Sequence, residues 1–246
     1  MKAAPEAQRR LLDLQAIDTT LAQLAHKKKT LPQLSALNAV ARDISNLDDE
    51  RVRAQVAVDD IDRDISRLEK DIEQVRSRSE KDRARLEAGS GPARELEALQ
   101  HELASLARRQ SELEDSELEF MEQRETAETA LGAIVTRLAD ARSQQATLES
   151  ERDAAVAEID ADLAGQASAR GPVAAEIPAD LITLYDKIRE ASGGIGVALL
   201  RGGRCGGCRL DLSGGELARV RSAAPDEVVR CDDCRRIMVR TSESGL

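Results

Sequence analysis

Two long heptad runs, a Gly–Pro break between them and two closely spaced cysteine pairs near the C-terminus predict a mainly α chain. The expected architecture is a long antiparallel coiled-coil helical hairpin followed by a small β-rich module built around the four cysteines. Composition points the same way. Of 246 residues, 33% are charged and only 1% aromatic, with one Phe, one Tyr and no Trp. Ordinary α/β enzyme cores lean on aromatic area, so that class is excluded. A platform that stacks nucleic-acid bases on rings is disfavoured for the same reason. The remaining apolar residues are mostly Ala, Leu, Ile and Val, which suit helices buried along one narrow stripe.

The first run starts at Ile44 and alternates steps of three and four: Leu47, Arg51, Ala54, Val58, Ile61, Ile65, Leu68, Ile72, Val75, Ser79, Asp82 and Leu86. Ten of these thirteen positions are apolar, against 41% for the chain. The second run starts at Leu96 and continues through Leu99, Leu103, Leu106 and Leu113 to Leu138, Leu148 and Ile159, with fourteen of nineteen positions apolar. A 3.5-residue repeat sustained this long makes a left-handed coiled-coil seam. Gly89-Ser90-Gly91-Pro92 ends one helix and opens the next. Such a tip favours an antiparallel hairpin over its rival, two parallel chains zipped as a dimer. If Leu86 faces Leu96, facing residue numbers sum to about 182, and the second helix reaches back to an earlier apolar set at Leu14, Ile17, Leu21, Leu24 and Leu31. At ~1.5 Å per residue, a second helix of ~70 residues is a rod of roughly 105 Å. Pro32 predicts a kink or short break. The polar seam residues, among them Arg51, Asp82, Gln110 and Arg124, fix register or lie with their charged ends in solvent.

The coiled-coil domain is therefore expected over 1–163, with its tip at 89–92 and its kink near 32. Periodicity dissolves after Leu163 into Gly165 to Pro172, so residues 164–176 read as a flexible linker. Residues 177–246 then hold a short helix and the cysteine module. Ile177-Pro178 opens that helix, Leu181, Leu184, Tyr185 and Ile188 line one face of it, and Gly193-Gly194 closes it. Val197 to Leu200, Arg209 to Leu212, Val228-Val229 and Ile237 to Val239 read as short β segments.

Cys205-Gly206-Gly207-Cys208 and Cys231-Asp232-Asp233-Cys234 form two CxxC pairs separated by 22 residues. Each pair can bend the backbone so that both sulfurs face one way, and two such knuckles complete a tetrahedral zinc site. A module of ~50 residues with almost no aromatics buries too little surface to stand alone, and zinc would supply the missing folding energy. Cys205, Cys208, Cys231 and Cys234 are thus the expected ligands of one structural zinc ion. Arg204, Arg209, Arg235 and Arg236 are placed to offset the thiolate charge. Redox-active or free thiols are the alternatives. A catalytic zinc is disfavoured, because four protein sulfurs leave no position for water.

Leu212-Ser213-Gly214-Gly215-Glu216 looks like the signature motif of ABC-type ATPases, but no GxxxxGK[ST] phosphate loop accompanies it. Ser213 and Glu216 instead fit a capping box opening a short helix. His26 and His101, the only histidines, have no nucleophile nearby in sequence, and Gly193-Gly194-Ile195-Gly196 does not complete a dinucleotide fingerprint. No enzyme emerges, and no small-molecule substrate is expected.

At this point the pattern resembles a known family. The run Ala93 to Leu103 after the Gly/Pro tip, Leu113-Glu114, Leu118 to Glu122, Ile177-Pro178 with Tyr185, and the two knuckles ending at Arg236-Ile237 are similar to bacterial zinc-ribbon proteins with an N-terminal coiled-coil hairpin, the FlgZ-like proteins. The likeness covers essentially the whole chain. It implies a non-enzymatic adaptor that contacts proteins such as sigma-54 or secretion components, with messenger RNA as a ligand of at least one member. It carries the zinc ligands onto the same four cysteines. One position departs: the family commonly has Gly after the last ligand, where this chain has Arg235, so the second knuckle is expected to be strained or differently shaped.

The formal charge of −10 divides unevenly, with a balance of −12 over residues 1–192 and +2 from Gly193 onward. An acidic body argues against indiscriminate phosphate binding. The function expected is a zinc-binding adaptor or scaffold that mediates protein–protein interactions through its coiled coil and ribbon. The alternative is a regulatory protein that binds DNA or RNA through Arg201, Arg204, Arg209, Arg230, Arg235, Arg236 and Arg240, with Arg219 and Arg221 nearby. No stretch approaches the ~18 apolar residues of a membrane span, and Met1 to Gln15 carries no apolar signal core. A cytoplasmic, reducing location is expected, in which the cysteines bind metal rather than pair. The sequence leaves monomer and dimer open.

Overall fold

A computed structural model describes residues 1–246. In chain order the elements are α1 (Pro5–Lys29), α2 (Pro32–Glu87), α3 (Ala93–Ala175), α4 (Ala179–Ala191), β1 (Val197–Arg201), β2 (Arg204–Cys205), α5 (Gly214–Ser222), β3 (Val229–Arg230) and β4 (Ile237–Val239). None of the helices is long and apolar enough to cross a membrane. Two units form. One comprises Ser35–Glu149; the other joins Met1–Leu34 to Ser150–Leu246.

The Ser35–Glu149 unit is the antiparallel hairpin that the heptads require. Every seam position named above in this part of α2 and α3 is buried or half-buried, with Leu47, Val58, Ile72, Leu106, Leu113 and Leu138 the most enclosed. Ion pairs along the flanks give the register directly: Asp48 with Arg142, Glu50 with Arg137, Asp62 with Arg124, Arg76 with Glu114, and Arg78 with Glu102. Facing residue numbers thus add to between 180 and 190, close to the 182 expected from the tip. These pairs are exposed, so they choose alignment more than they add stability. At the tip Gly89 takes φ +62, which glycine tolerates, and Pro92 accepts the first amide bonds of α3.

In the second unit, α1 stops where Thr30 donates its amide to His26 and Lys27, and Pro32 opens α2 as its first residue. Proline is favoured there because the first-turn amide would be unpaired anyway. The sheet order is β2-β1-β4-β3, with β1 parallel to β4 and the other pairs antiparallel. Alternation splits the sheet's side chains into two cores. Val197, Ile237 and Val239 pack with Ala3, Ala7, Leu11 and Leu14 of the N-terminal segment and with Leu181, Tyr185 and Ile188 of α4. Leu200 and Met238 pack on the other face with Val220, Val229, Cys205 and Cys231. Residues before α1 join the sheet region: Ala3 donates its amide to Asp226, Val228 donates to Met1, and Gln8 donates to the Ala3 and Pro225 carbonyls.

Two expectations are corrected. Residues 164–176 are no flexible linker: α3 runs unbroken to Ala175 through Gly165, Gly171 and Pro172. The seam continues in phase through Leu163, Gln166, Arg170 and Val173, all half-buried. Each glycine costs about 1 kcal/mol of helix propensity, which packing overrides, and Pro172 sits in the last turn where few bonds follow it. The division at 163 likewise fails as a boundary, since Met1–Leu34 and Ser150–Leu246 fold as one unit. Of the short β segments, Arg209 to Leu212 forms only an Asp211–Arg204 bridge, and β3 lies one residue later than expected.

A buried polar knot joins α1, α3 and α4. Asp18 is 4% exposed; Arg170 donates to its two oxygens at 2.7 and 3.2 Å, and the Tyr185 hydroxyl donates at 2.8 Å. Arg189 lies 3.5 Å from both Asp18 and Asp186. Nearby, Gln15 donates to the Gly194 carbonyl and accepts from the Gly196 amide, which fixes the turn into β1. Burial pushes the Asp18 carboxyl up, but the bonds from Arg170 and Tyr185 and the Arg170 and Arg189 charges outweigh it and hold it below its ordinary 3.8. Its stabilisation is therefore complete above that ordinary value and is lost as pH falls through the lowered one. Asp18→Asn should remove that stabilisation at neutral pH and flatten the acid limb of a stability–pH curve. Tyr185→Phe should lower the unfolding free energy by about 1.5–3 kcal/mol in urea denaturation at pH 7.

Candidate metal centre

The two CxxC pairs build matching backbone loops. In the first, Arg209 donates its amide to the Cys205 carbonyl at 2.8 Å, and Cys205 donates to Leu210 at 3.0 Å. In the second, Arg235 donates to Cys231 at 3.0 Å, and Cys231 donates to Arg236 at 3.1 Å. The residue after each second cysteine is left-handed, Arg209 at φ +63 and Arg235 at φ +62. The strain expected at Arg235 is thus present, and Arg209 shares it, which sequence reading missed. The first loop has no room for side chains at its two glycines. A Cβ on Gly206 would meet the Leu199 carbonyl oxygen at 2.8 Å, and one on Gly207 would meet the Arg236 side chain at 2.6 Å.

These loops bring all four sulfurs within 4.8 Å of one another. Cys205 and Cys234 Sγ are 3.8 Å apart, and Cys208 and Cys231 Sγ are 3.9 Å apart. Disulfide sulfurs lie about 2.05 Å apart, so no disulfide links these cysteines. Four sulfurs at ~2.3 Å from a central zinc span tetrahedron edges of about 3.8 Å, which the Cys205–Cys234 and Cys208–Cys231 separations match. Backbone amides of Gly207 and Cys208 point at Cys205, those of Asp233 and Cys234 at Cys231, and that of Arg236 at Cys234. Among the bare thiols burial dominates, raising Cys205 and pushing Cys231 up to about 12. Burial also raises Cys234, but the Arg236 amide, the Cys231 and Cys205 thiols and the Arg236 side chain outweigh it, so its thiol is lowered. A bound cation would make thiolates of all four.

Helix α5 braces the second loop. Ser213 accepts the Glu216 amide at 3.2 Å, as the capping motif requires. The buried Glu216 carboxylate does not return the bond to Ser213; it accepts the Asp232 amide at 2.9 Å inside the knuckle. Arg219 then pairs with Asp232 at 2.8 Å.

The seven arginines singled out from sequence divide by what they touch. Arg236 donates to the Ile195, Gly207 and Ser192 carbonyls, tying the first knuckle to the end of α4. Arg240 donates to five carbonyls between Val220 and Glu227. Arg204 forks onto Asp211, Arg201 pairs with Glu243, and Arg230 donates to the Arg235 carbonyl. The Arg209 and Arg235 side chains make no such bonds. Of the four arginines expected to offset thiolate charge, Arg236 is the one whose side chain helps to lower a cysteine thiol, that of Cys234.

The fold and the four-sulfur cluster define a class: coiled-coil hairpin proteins carrying a four-cysteine ribbon. The chain belongs to the CT398-like coiled-coil hairpin family, whose model matches residues 14–193, and a C4-type zinc ribbon domain matches residues 204–238. The Mycobacterium tuberculosis protein Rv2229c is 40% identical over 240 residues, covering 98% of each chain. ML1638 of Mycobacterium leprae is 34% identical, covering 87% of this chain and 92% of its own. A solved Mycobacterium smegmatis structure superposes with a TM-score of 0.87 at 35% identity, covering 98% of this chain and all of that one. CT398 of Chlamydia trachomatis shares the fold at TM-score 0.69 and 19% identity, covering 95% and 97%.

A left-handed non-glycine residue costs roughly 1–2 kcal/mol, partly offset in any glycine variant by the freer unfolded chain. Arg235→Gly should therefore stabilise the zinc-loaded protein by up to about 1 kcal/mol in chemical denaturation, with unchanged metal content.

Proposed function

We propose that this protein is a non-enzymatic adaptor of the cytoplasm, in which one structural zinc holds the ribbon and the hairpin supplies surface for protein partners. The observation that carries this reading is the closed set of four cysteine sulfurs. Four protein ligands fill zinc's preferred coordination and leave no position for a reacting water. Cys205, Cys208, Cys231 and Cys234 would hold the ion, and its chemistry there is structural: it fixes the two loops to each other. The residues beside it, Glu216 and Arg236, are spent on backbone amides and carbonyls, which supports a role in architecture. Thiols kept apart rather than paired suit a reducing compartment.

Nucleic-acid binding is the second reading, favoured by the uncommitted guanidinium groups of Arg209 and Arg235. It loses ground where Arg236 and Arg240 are consumed by carbonyls.

Purified full-length protein should carry one zinc per chain by elemental analysis, and Cys208→Ser or Cys234→Ser should release it. Chelation should then loosen α1 as well as the ribbon in hydrogen exchange, because Leu11 and Leu14 pack in one core with β1 and β4. Crosslinking mass spectrometry in the native cell should recover protein partners. Recovery of nucleic acid alone, with a steep salt dependence abolished by Arg209→Ala and Arg235→Ala, would replace the adaptor reading with the second one.

A further inference from the structure

Leu118 and Met121 are the two most exposed large apolar residues of α3, at 59% and 52%. The seam of this stretch runs through Leu113, Phe120 and Ala127, so Leu118 and Met121 stand on the outward side, one turn apart. The surroundings are intensely acidic: residues 112–128 contain eight carboxylates and one arginine. That arginine, Arg124, is already paired with Asp62 and Glu128. Asp115, Glu119, Glu122 and Glu125 are exposed and have no basic partner within the chain.

Resting on the adaptor reading, we propose that this face of α3 is the docking site for a basic amphipathic helix of a protein partner. The apolar pair lies on one face of a helix at i and i+3, so a second helix can lay its own apolar stripe along it. The unpaired carboxylates select the sign of the flanks. A second copy of this acidic face would be repelled, and so would a phosphate backbone, whereas lysines and arginines beside the stripe would be attracted. The charge speeds encounter, and the buried Leu118 and Met121 side chains hold the complex.

The test uses zinc-loaded full-length protein and a fluorescein-labelled 18-residue helical peptide with leucines on one face and lysines on the others. A matched peptide carries glutamate in place of lysine. Anisotropy titration should show saturable binding of the lysine peptide alone. Leu118→Ser with Met121→Ser should weaken it at least tenfold, and Glu119→Gln with Glu122→Gln should weaken it and reduce its salt dependence. Val135→Ser, which alters a residue 47% exposed on the same helix, should leave it within twofold. All these residues are exposed, and circular dichroism checks that each variant keeps its helix content. Equal binding of both peptides, no binding, or binding unchanged by the Leu118/Met121 double variant overturns the proposal. Those outcomes leave the adaptor reading standing, because that reading fails only if crosslinking finds no protein partner anywhere on the chain.

Discussion

The Tyr185 hydroxyl, the Asp18 carboxylate and the Arg170 guanidinium meet in a site almost sealed from water, and each comes from a different helix. A carboxylate in that position is tolerable only while its donors stay in place. The knot therefore dictates where α1 lies against the end of α3 and against α4. With α1 so placed, Leu11 and Leu14 are fully enclosed against β1 and β4, and Gln15 fixes the turn into β1. The four-cysteine module rests on the far side of the same two strands. A chain with a single tyrosine uses it at the point where most elements depend on it.

Much of this was legible in residue order. Register along the hairpin followed from the tip and the three–four steps, and all the seam positions named from the sequence are buried or half-buried. The four cysteines announced their convergence by spacing alone. Asp18 gave no such sign, because a carboxylate in a helical stretch with charges of both signs reads as surface until its partners at 170 and 185 are brought beside it. Residues 164–176 misled for the opposite reason. Gly165, Gly171 and Pro172 are strong local breakers, yet the seam positions at 163, 166, 170 and 173 continue the phase set by Ile159. Tertiary packing outweighed local preference, as it commonly does for propensity differences of about 1 kcal/mol per residue.

The arginines show how little charge pattern says about role. Nine basic residues follow Gly193, and sequence treated seven of them as one candidate surface. In the folded ribbon Arg236 and Arg240 behave as rivets, capping carbonyls that a domain with so few strands leaves unpaired. Arg209 and Arg235 instead occupy left-handed positions with free side chains. The two knuckles are close copies in hydrogen bonding, down to this shared conformation, so the same constraint acts twice around one set of sulfurs.

The order of synthesis gives the discontinuous unit a further meaning. Helix α1 is made about 220 residues ahead of its packing partners Ile237 and Val239. At roughly 5–20 residues per second, about 220 residues of delay leave the nascent helix without its sheet for some 10–45 s. Throughout that interval Leu11 and Leu14 lack the part of their core that Ile237 and Val239 supply. The unit closes only once residue 239 has been made, so α1 waits as a tethered helix while the intervening chain is synthesised.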